Sequence, residues 1–265
     1  MFTGRIGTIF KQSRLPLRVW VYAFWKACSS KKGISALQLS REMEITHKSA
    51  LFVLRRIRHG LGLDASSPKL TGTVEVDETY VGGRPRYRGQ SKDGRGTSKV
   101  PVLGMVQRGG DVRFQMMERT SARIADLLIQ NADGSCRVIT DELNVYHPVD
   151  RIFRGGHEVV NHTSKEYVRL GTDVHSNTVE GVFSLLKRGV MGTFHSVSRK
   201  HLPNYLNEFE FRQNTRKMDD GQRVTQAIQQ VDGKRLTYRE SVDNPPYLVR
   251  VQQPPAPFGG YDQTP

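Results

Sequence analysis

Asp77, Asp141 and Glu180 are the residues whose types and settings point to chemistry. Asp77 interrupts the β-branched run Thr73-Val74-Glu75-Val76-Asp77-Glu78-Thr79-Tyr80-Val81, and Asp141 closes the run Cys136-Arg137-Val138-Ile139-Thr140-Asp141. A carboxylate is disfavoured in a half-buried extended segment unless something compensates its charge, and a bound cation would do so. If the two runs are neighbouring strands, their carboxylates face each other across roughly 5 Å, the strand spacing. Glu180 stands 39 residues after Asp141 on a helical stretch that could lay it against the same sheet edge. Together the three make an all-oxygen site of the kind Mg²⁺ or Mn²⁺ prefers. Two such ions about 3.5–4 Å apart activate a nucleophile and stabilise the leaving oxygen in phosphodiester chemistry. Singly, each acid has a plainer explanation. Asp77 could be an edge-strand charge, Asp141 a turn or helix cap, and Glu180 the N3 member of a capping box begun by Asn177. Taken with the strand order and the charge below, the metal site is the preferred reading.

The elements that must position these acids can be read from periodicity. Strands are expected over 73–81, 100–106, 112–117, 136–141 and 157–160, the second and third joined by a Gly109-Gly110-Asp111 hairpin turn. Helices are expected over Ser121–Ala132, near Val145–Ile152, over Asn177–Lys187 and over Leu202–Arg216. Hairpin-joined strands are antiparallel, and strands reached through helices are parallel. The expected architecture is therefore α/β, a ribonuclease H-like mixed five-stranded sheet with helices, preceded by a small all-α helix-turn-helix region.

In that region a first helix from Pro16 to Cys28 puts Leu17, Val21 and Phe24 on one stripe with Trp20. A second is capped by Ser35, and a third by Thr46 with Ala50, Val53, Leu54, Ile57 and Leu61 at helical spacing. Three parts follow: 1–66, helix-turn-helix; 67–217, the ribonuclease H-like unit; and 218–265, a Pro-rich extension without a core of its own.

Charge narrows the partner. Lys and Arg number 40 against 26 Asp and Glu, a net +14. Residues 1–64 carry +9 of it and residues 84–99 carry +5, so two segments hold the whole excess on an otherwise neutral chain. A polyanion is the natural partner, because neutralising phosphates releases counterions. Lys48, Arg55 and Arg56 on the third helix and Arg84, Arg86 and Arg88 in the basic loop are the candidate contacts. Two cysteines, Cys28 and Cys136, cannot build a disulfide framework or a four-cysteine zinc site, so no zinc is expected. No apolar run approaches a membrane span, and a cytoplasmic, nucleoid-associated protein is expected.

Val74-Glu75-Val76-Asp77-Glu78-Thr79-Tyr80-Val81-Gly82-Gly83, Ile139-Thr140-Asp141, His175-Ser176-Asn177-Thr178-Val179-Glu180, Lys187-Arg188-Gly189 and Phe209-Glu210-Phe211-Arg212-Gln213-Asn214-Thr215-Arg216 closely resemble the ISXO-type DDE transposases of bacterial insertion sequences. The resemblance spans about residues 4–217. It implies that Asp77 and Asp141 carry Mg²⁺ or Mn²⁺, that Asn177 or Glu180 is the third catalytic position, and that Lys187 contacts DNA beside it. An ionised carboxylate binds a hard cation better than an amide oxygen, which favours Glu180. Arg188, Arg212 and Arg216 join the candidate DNA contacts. The implied activity is a transposase that cuts and joins element ends, acting on double-stranded DNA (terminal inverted repeats and target) as a homo-oligomer on paired ends. The alternatives are a nuclease of the same fold without strand transfer and a truncated, catalytically silent DNA-binding protein. Members of this family usually begin with a cysteine-rich zinc ribbon ahead of the segment that reads Gly7–Leu17 here, and this sequence starts almost at that point.

Overall fold

Strand β1, Thr73–Val81, forms where its β-branched residues predict it. The other strands follow in the expected order: β2 Val100–Gln107, β3 Val112–Met116, β4 Arg137–Asp141 and β5 His157–Val160. The computed structural model describes residues 5–64, 66–82, 99–118, 124–142, 144–160 and 171–236. Helices α1 (Leu17–Ser29), α2 (Ala36–Glu42) and α3 (His47–Gly60) precede the sheet. Helix α4 (Ile124–Asn131) and a 3-10 helix (Asn144–Arg151) interleave with the later strands, and α5 (Asn177–Gly189), α6 (Leu202–Asn214) and α7 (Asp220–Gln230) follow. The expected Ser121 cap, Arg84, Arg86, Arg88 and the prolines of the C-terminal extension lie outside the described residues.

The strands form one sheet in the order β3-β2-β1-β4-β5. The pairs β1–β2 and β2–β3 are antiparallel, while β4 joins β1 and β5 joins β4 in parallel. This is the mixed, ribonuclease H-like arrangement expected from the strand order. One register matters most for chemistry: Glu75 of β1 lies opposite Ile139 of β4. Two residues further along each strand stand Asp77 and Asp141.

The sheet is covered on both faces. Val74, Val76, Leu103, Met105 and Val138 pack with Ile124 and Leu128 of α4 and with Tyr146 and Val149 of the 3-10 helix. On the other face Val102 and Val106 pack with Val179 and Phe183 of α5 and Leu206 and Phe209 of α6. Helix α5 can come this close because the residue paired with Asp77 on β2 is Gly104. A Cβ at that position would lie 2.6 Å from the Phe183 ring.

Helices α1–α3 build a third core together with Phe211 of α6, Ala227 of α7 and Val231. The expected stripe on α1 is only half right, for Leu17 and Val21 are 63% and 50% exposed. The buried residues are Val19, Trp20, Ala23, Phe24, Ala27 and Cys28. Trp20 selects that face: its indole Nε1 donates to Ser13 Oγ at 3.1 Å, and its ring meets Phe10 edge-on with centroids 4.9 Å apart. Helix α7 lies in the stretch where no element was expected. Asp219 and Gln222 form a capping box at its start, and Ala227 docks into the core shared with α1.

Two buried glutamates fasten α6. Glu208, 1% exposed, takes the Nε–H of Arg58 on α3 at 2.5 Å and pairs with Arg212 one turn on. The Arg58 guanidinium also lies 4.0 Å from the Tyr205 ring centroid and 5.0 Å from that of Phe194. Burial works against ionisation of Glu208, but the Arg58 and Arg212 charges outweigh it and hold the carboxyl below its ordinary range. Glu210 Oε2 accepts the Phe114 N–H at 2.9 Å, and Asn214 Oδ1 accepts that of Val112 at 2.8 Å. Side chains of α6 thereby satisfy the backbone of strand β3 at the sheet edge. Burial pushes the Glu210 carboxyl up to about 7.

Arg58→Ala should destabilise the fold by about 3–5 kcal/mol in urea titrations, because it strips a partner from a buried carboxylate. For Glu210 the sign is opposite to that of a paired acid. Its raised value means that it favours folding below the ordinary carboxylate range and loses that contribution as the pH rises through about 7. Glu210→Gln, which keeps an acceptor for Phe114, should flatten the fall in melting temperature between about pH 5 and pH 8.

Candidate active site

Asp77 and Asp141 come together where β4 stops at Asp141 while β1 runs on to Val81. One carboxylate oxygen from each of Asp77, Glu78 and Asp141 lies within 4.8 Å of the others. All three residues are half-buried, and Asp77 Oδ1 accepts the backbone N–H of Glu78 at 2.7 Å. Strand alternation alone does not bring Glu78 to this group, because neighbours on an ideal strand face opposite sides. At this level β1 has run past its last partner on β4, and the Glu78 carboxylate reaches the group. The Asp-Glu pair at the strand's end was the signal that could have found it.

Tyr146, 1% exposed on the 3-10 helix, is buried close to the same group. Burial, then the negative charge of Glu78, Asp141 and Asp77, pushes its phenol well above the ordinary range. It therefore stays neutral beside the acids.

The group opens into a cavity of about 730 Å³ whose wall includes Asp77, Glu78 and Glu180. Lys32, Lys187 and Arg188 line the same cavity, so acids and cations face one space. Glu180 Oε1 accepts from Ser176 Oγ at 3.1 Å. Glu180 shares the cavity with Asp77 but is not one of the three acids whose oxygens lie within 4.8 Å of one another. Asn177 is exposed at the first position of α5 and is not among the residues lining the cavity. The capping box read from Asn177 and Glu180 is not formed either: the N-cap is Ser176, which makes no side-chain capping bond.

The other cationic candidates divide by burial. Lys48 is exposed near the start of α3, and Arg55, half-buried, places Nη2 3.0 Å from His201 Nε2. Arg56 is 5% exposed, and its Nη1 donates to the carbonyls of Ile9 and Lys11 at 2.5 and 2.6 Å. Arg212 is buried against Glu208. Arg216 donates to the carbonyls of Gly110 and Gln213 at 2.9 and 2.8 Å, tying α6 to the hairpin turn. A helical reading counts such arginines as surface decoration; here α3 and α6 are each covered on more than one side, and the stems are absorbed in packing. Lys32 was not anticipated, since it sits in a short turn between α1 and α2 where no periodicity marks it.

Three comparisons bear on this site. Residues 69–214 match the family described as the ISXO2-like transposase domain. An uncharacterized protein in transposable element ISH50 of Halobacterium salinarum is 35% identical over 226 residues, which cover 80% of this chain and 74% of that protein. Among solved structures, the Mos1 strand transfer complex aligns over 86% of this chain and 82% of that one, at 14% identity and a TM-score of 0.34. A pre-cleavage Mos1 transpososome aligns over the same shares at 13% identity and a TM-score of 0.30.

Crowded carboxylates leave a thermodynamic signature. Asp141→Asn should raise the melting temperature of the metal-free protein by relieving like-charge repulsion. Mn²⁺ is expected to raise the melting temperature of the native chain by mass action, and Asp141→Asn to abolish that rise.

Proposed function

The chain belongs to the ISXO2-like transposase family, and from that premise we propose that it cuts and joins insertion-element ends by metal-assisted phosphodiester chemistry. The observation that carries this reading is the meeting of Asp77, Glu78 and Asp141 oxygens within 4.8 Å towards the C-terminal ends of the adjacent strands β1 and β4. The donor set fits Mg²⁺ or Mn²⁺: carboxylate oxygens alone, with no nitrogen or sulfur among the three. Asp77 and Asp141 would hold the metal, Glu78 would add a third oxygen, and Glu180, across the same cavity, is the fourth acid available to it. Bound there, a pair of divalent ions supplies an activated water or 3′-hydroxyl and neutralises the leaving oxygen.

The chain's own residues do the rest. Ser176 holds one oxygen of Glu180 by its hydroxyl. Lys187 and Arg188, about two turns along α5 from Glu180, offer cations to the phosphates that flank the scissile bond. Tyr146, kept neutral, gives the acids an uncharged buried neighbour that does not compete for the cation. Double-stranded DNA is the proposed partner, terminal repeats and target alike. Residues 1–66 are proposed to grip the element's ends through a helix-turn-helix made of α2 and α3, with the exposed Lys48 and the half-buried Arg55 as its candidate contacts. Residues 67–217 would carry the chemistry, and 218–265 would form an extension whose helix α7 braces α1. Arg84, Arg86 and Arg88 remain in the proposed contact set, whereas Arg56, Arg212 and Arg216, spent on internal partners, do not. Two copies on paired ends, acting on nucleoid DNA, complete the proposal; no helix among the described residues is long and apolar enough to cross a membrane.

Strand transfer with a pre-cut end in Mg²⁺ or Mn²⁺ tests it. Joined product is expected, and Asp77→Asn or Asp141→Asn should cut cleavage by at least about a hundredfold while end binding stays within about twofold, since loss of a ligand exceeds the effect of an outer partner. Hydrolysis without joining would select the nuclease reading. Binding without metal-dependent cutting would select the silent one.

A further inference from the structure

Glu75 has no place in the proposed chemistry, yet it is a fully buried carboxylate two residues from Asp77 on the same face of β1. Five polar groups surround it. Its Oε2 accepts the backbone N–H of Thr178 at 2.8 Å and that of Val179 at 3.1 Å. Its Oε1 accepts the Thr178 hydroxyl at 2.8 Å and the Nε–H of Arg108 at 2.6 Å, and His175 Nδ1 lies 3.3 Å away. Arg108 is itself fixed, donating also to the His175 carbonyl at 3.0 Å and to Asp173 at 3.2 Å.

A helix start leaves backbone N–H groups without partners, and a side chain at the N-cap ordinarily takes one of them. Helix α5 makes no such bond from Ser176. The carboxylate of a different element does so instead, with its negative charge at the positive end of the helix dipole. Thr178 and Val179 are the second and third residues of α5, and Glu180 is the fourth. Glu75 thus bonds the strand that carries Asp77 to the turn that carries Glu180, next to both acids. Apolar packing such as Phe183 over Gly104 also holds α5 to the sheet, but two N–H donors on one carboxylate oxygen add a charge-assisted, directional link at the helix start.

We propose that Glu75 is a positioning residue that sets the height of α5 on the sheet so that Glu180 faces Asp77 across the cavity, an inference that rests on the reading of the site above. Three measurements on the full chain test it, using Glu75→Gln and, because that variant can fail to fold, Thr178→Val, which removes the hydroxyl bond at little change of volume. Amide hydrogen exchange at Thr178, Val179 and Glu180 should rise at least about tenfold in Glu75→Gln, while β1 and α7 exchange as in the native chain. Metal-dependent cleavage should fall by about 10–100-fold at saturating Mn²⁺, the range for losing an outer partner of a metal site, with end binding within about twofold; Thr178→Val should move the same way by less. The Mn²⁺ concentration for half-maximal cleavage should rise in both. Native exchange at these amides, or native rate and Mn²⁺ dependence in a folded variant, overturns the proposal; so does a rate loss matched by the fraction of unfolded protein. If the native chain shows no metal-dependent cleavage, the reading of the site fails, and exchange alone decides whether Glu75 holds α5.

Discussion

Like charges resist being gathered, and this protein gathers three. At 4.8 Å and an effective dielectric constant near 20, each pair among Asp77, Glu78 and Asp141 repels by about 3 kcal/mol when ionised. Nothing in the acids themselves brings them together. What does is the hydrogen-bond ladder between β1 and β4, whose pairs Thr73↔Arg137, Val74↔Val138 and Glu75↔Ile139 leave the next residues no choice of level. The ladder in turn needs both faces of the sheet covered, by α4 and the 3-10 helix on one side and by α5 and α6 on the other. The fold is thus what holds these carboxylates together against their mutual repulsion.

The same chain uses buried carboxylates a second way, as fasteners between elements. Glu75 ties α5 to β1, Glu208 ties α6 to α3, and Glu210 ties α6 to the edge of β3. Each carries its compensation with it: backbone donors and Arg108 for Glu75, two guanidinium groups for Glu208, and for Glu210 a raised affinity for the proton. Buried ionic contacts of this kind are costly to desolvate and add little net stability over apolar packing. Their advantage is direction, since a hydrogen-bonded carboxylate accepts only one placement of its neighbours, while a greasy surface accepts many.

Much of this was legible in the sequence. β-branched runs bounded by glycine gave the strands, and hairpins against helical crossovers gave their order and sense, because those signals are local. Ser35 and Thr46 cap α2 and α3 as their spacing predicts. Asp77 and Asp141 could be singled out because an acid in a strand is locally anomalous. What escaped was whatever depends on a distant partner. Arg56, Arg212 and Arg216 look like free surface charge until Ile9, Glu208 and the hairpin turn are brought to them. Glu78 looks like the solvent side of a strand until β4 ends beside it. Leu17 and Val21 fit a helical stripe as well as Val19 and Ala23 do, and the tie is broken by distant partners such as Ser13 and Phe10 on Trp20. Helix α7 is different: its capping residues Asp219 and Gln222 and the spacing of Val224, Ala227 and Val231 are local signals already present in the sequence.

The core around α1–α3 has a temporal side as well. Its apolar interior includes Phe211, Ala227 and Val231, which lie beyond the whole sheet in the polypeptide. During synthesis α1–α3, which precede the other described elements, therefore wait, with part of their apolar surface bare, until α7 has emerged. Contacts of such long sequence separation slow folding and make it an all-or-none event. The α1–α3 core is thus completed no sooner than the sheet, although its helices come first among the described elements.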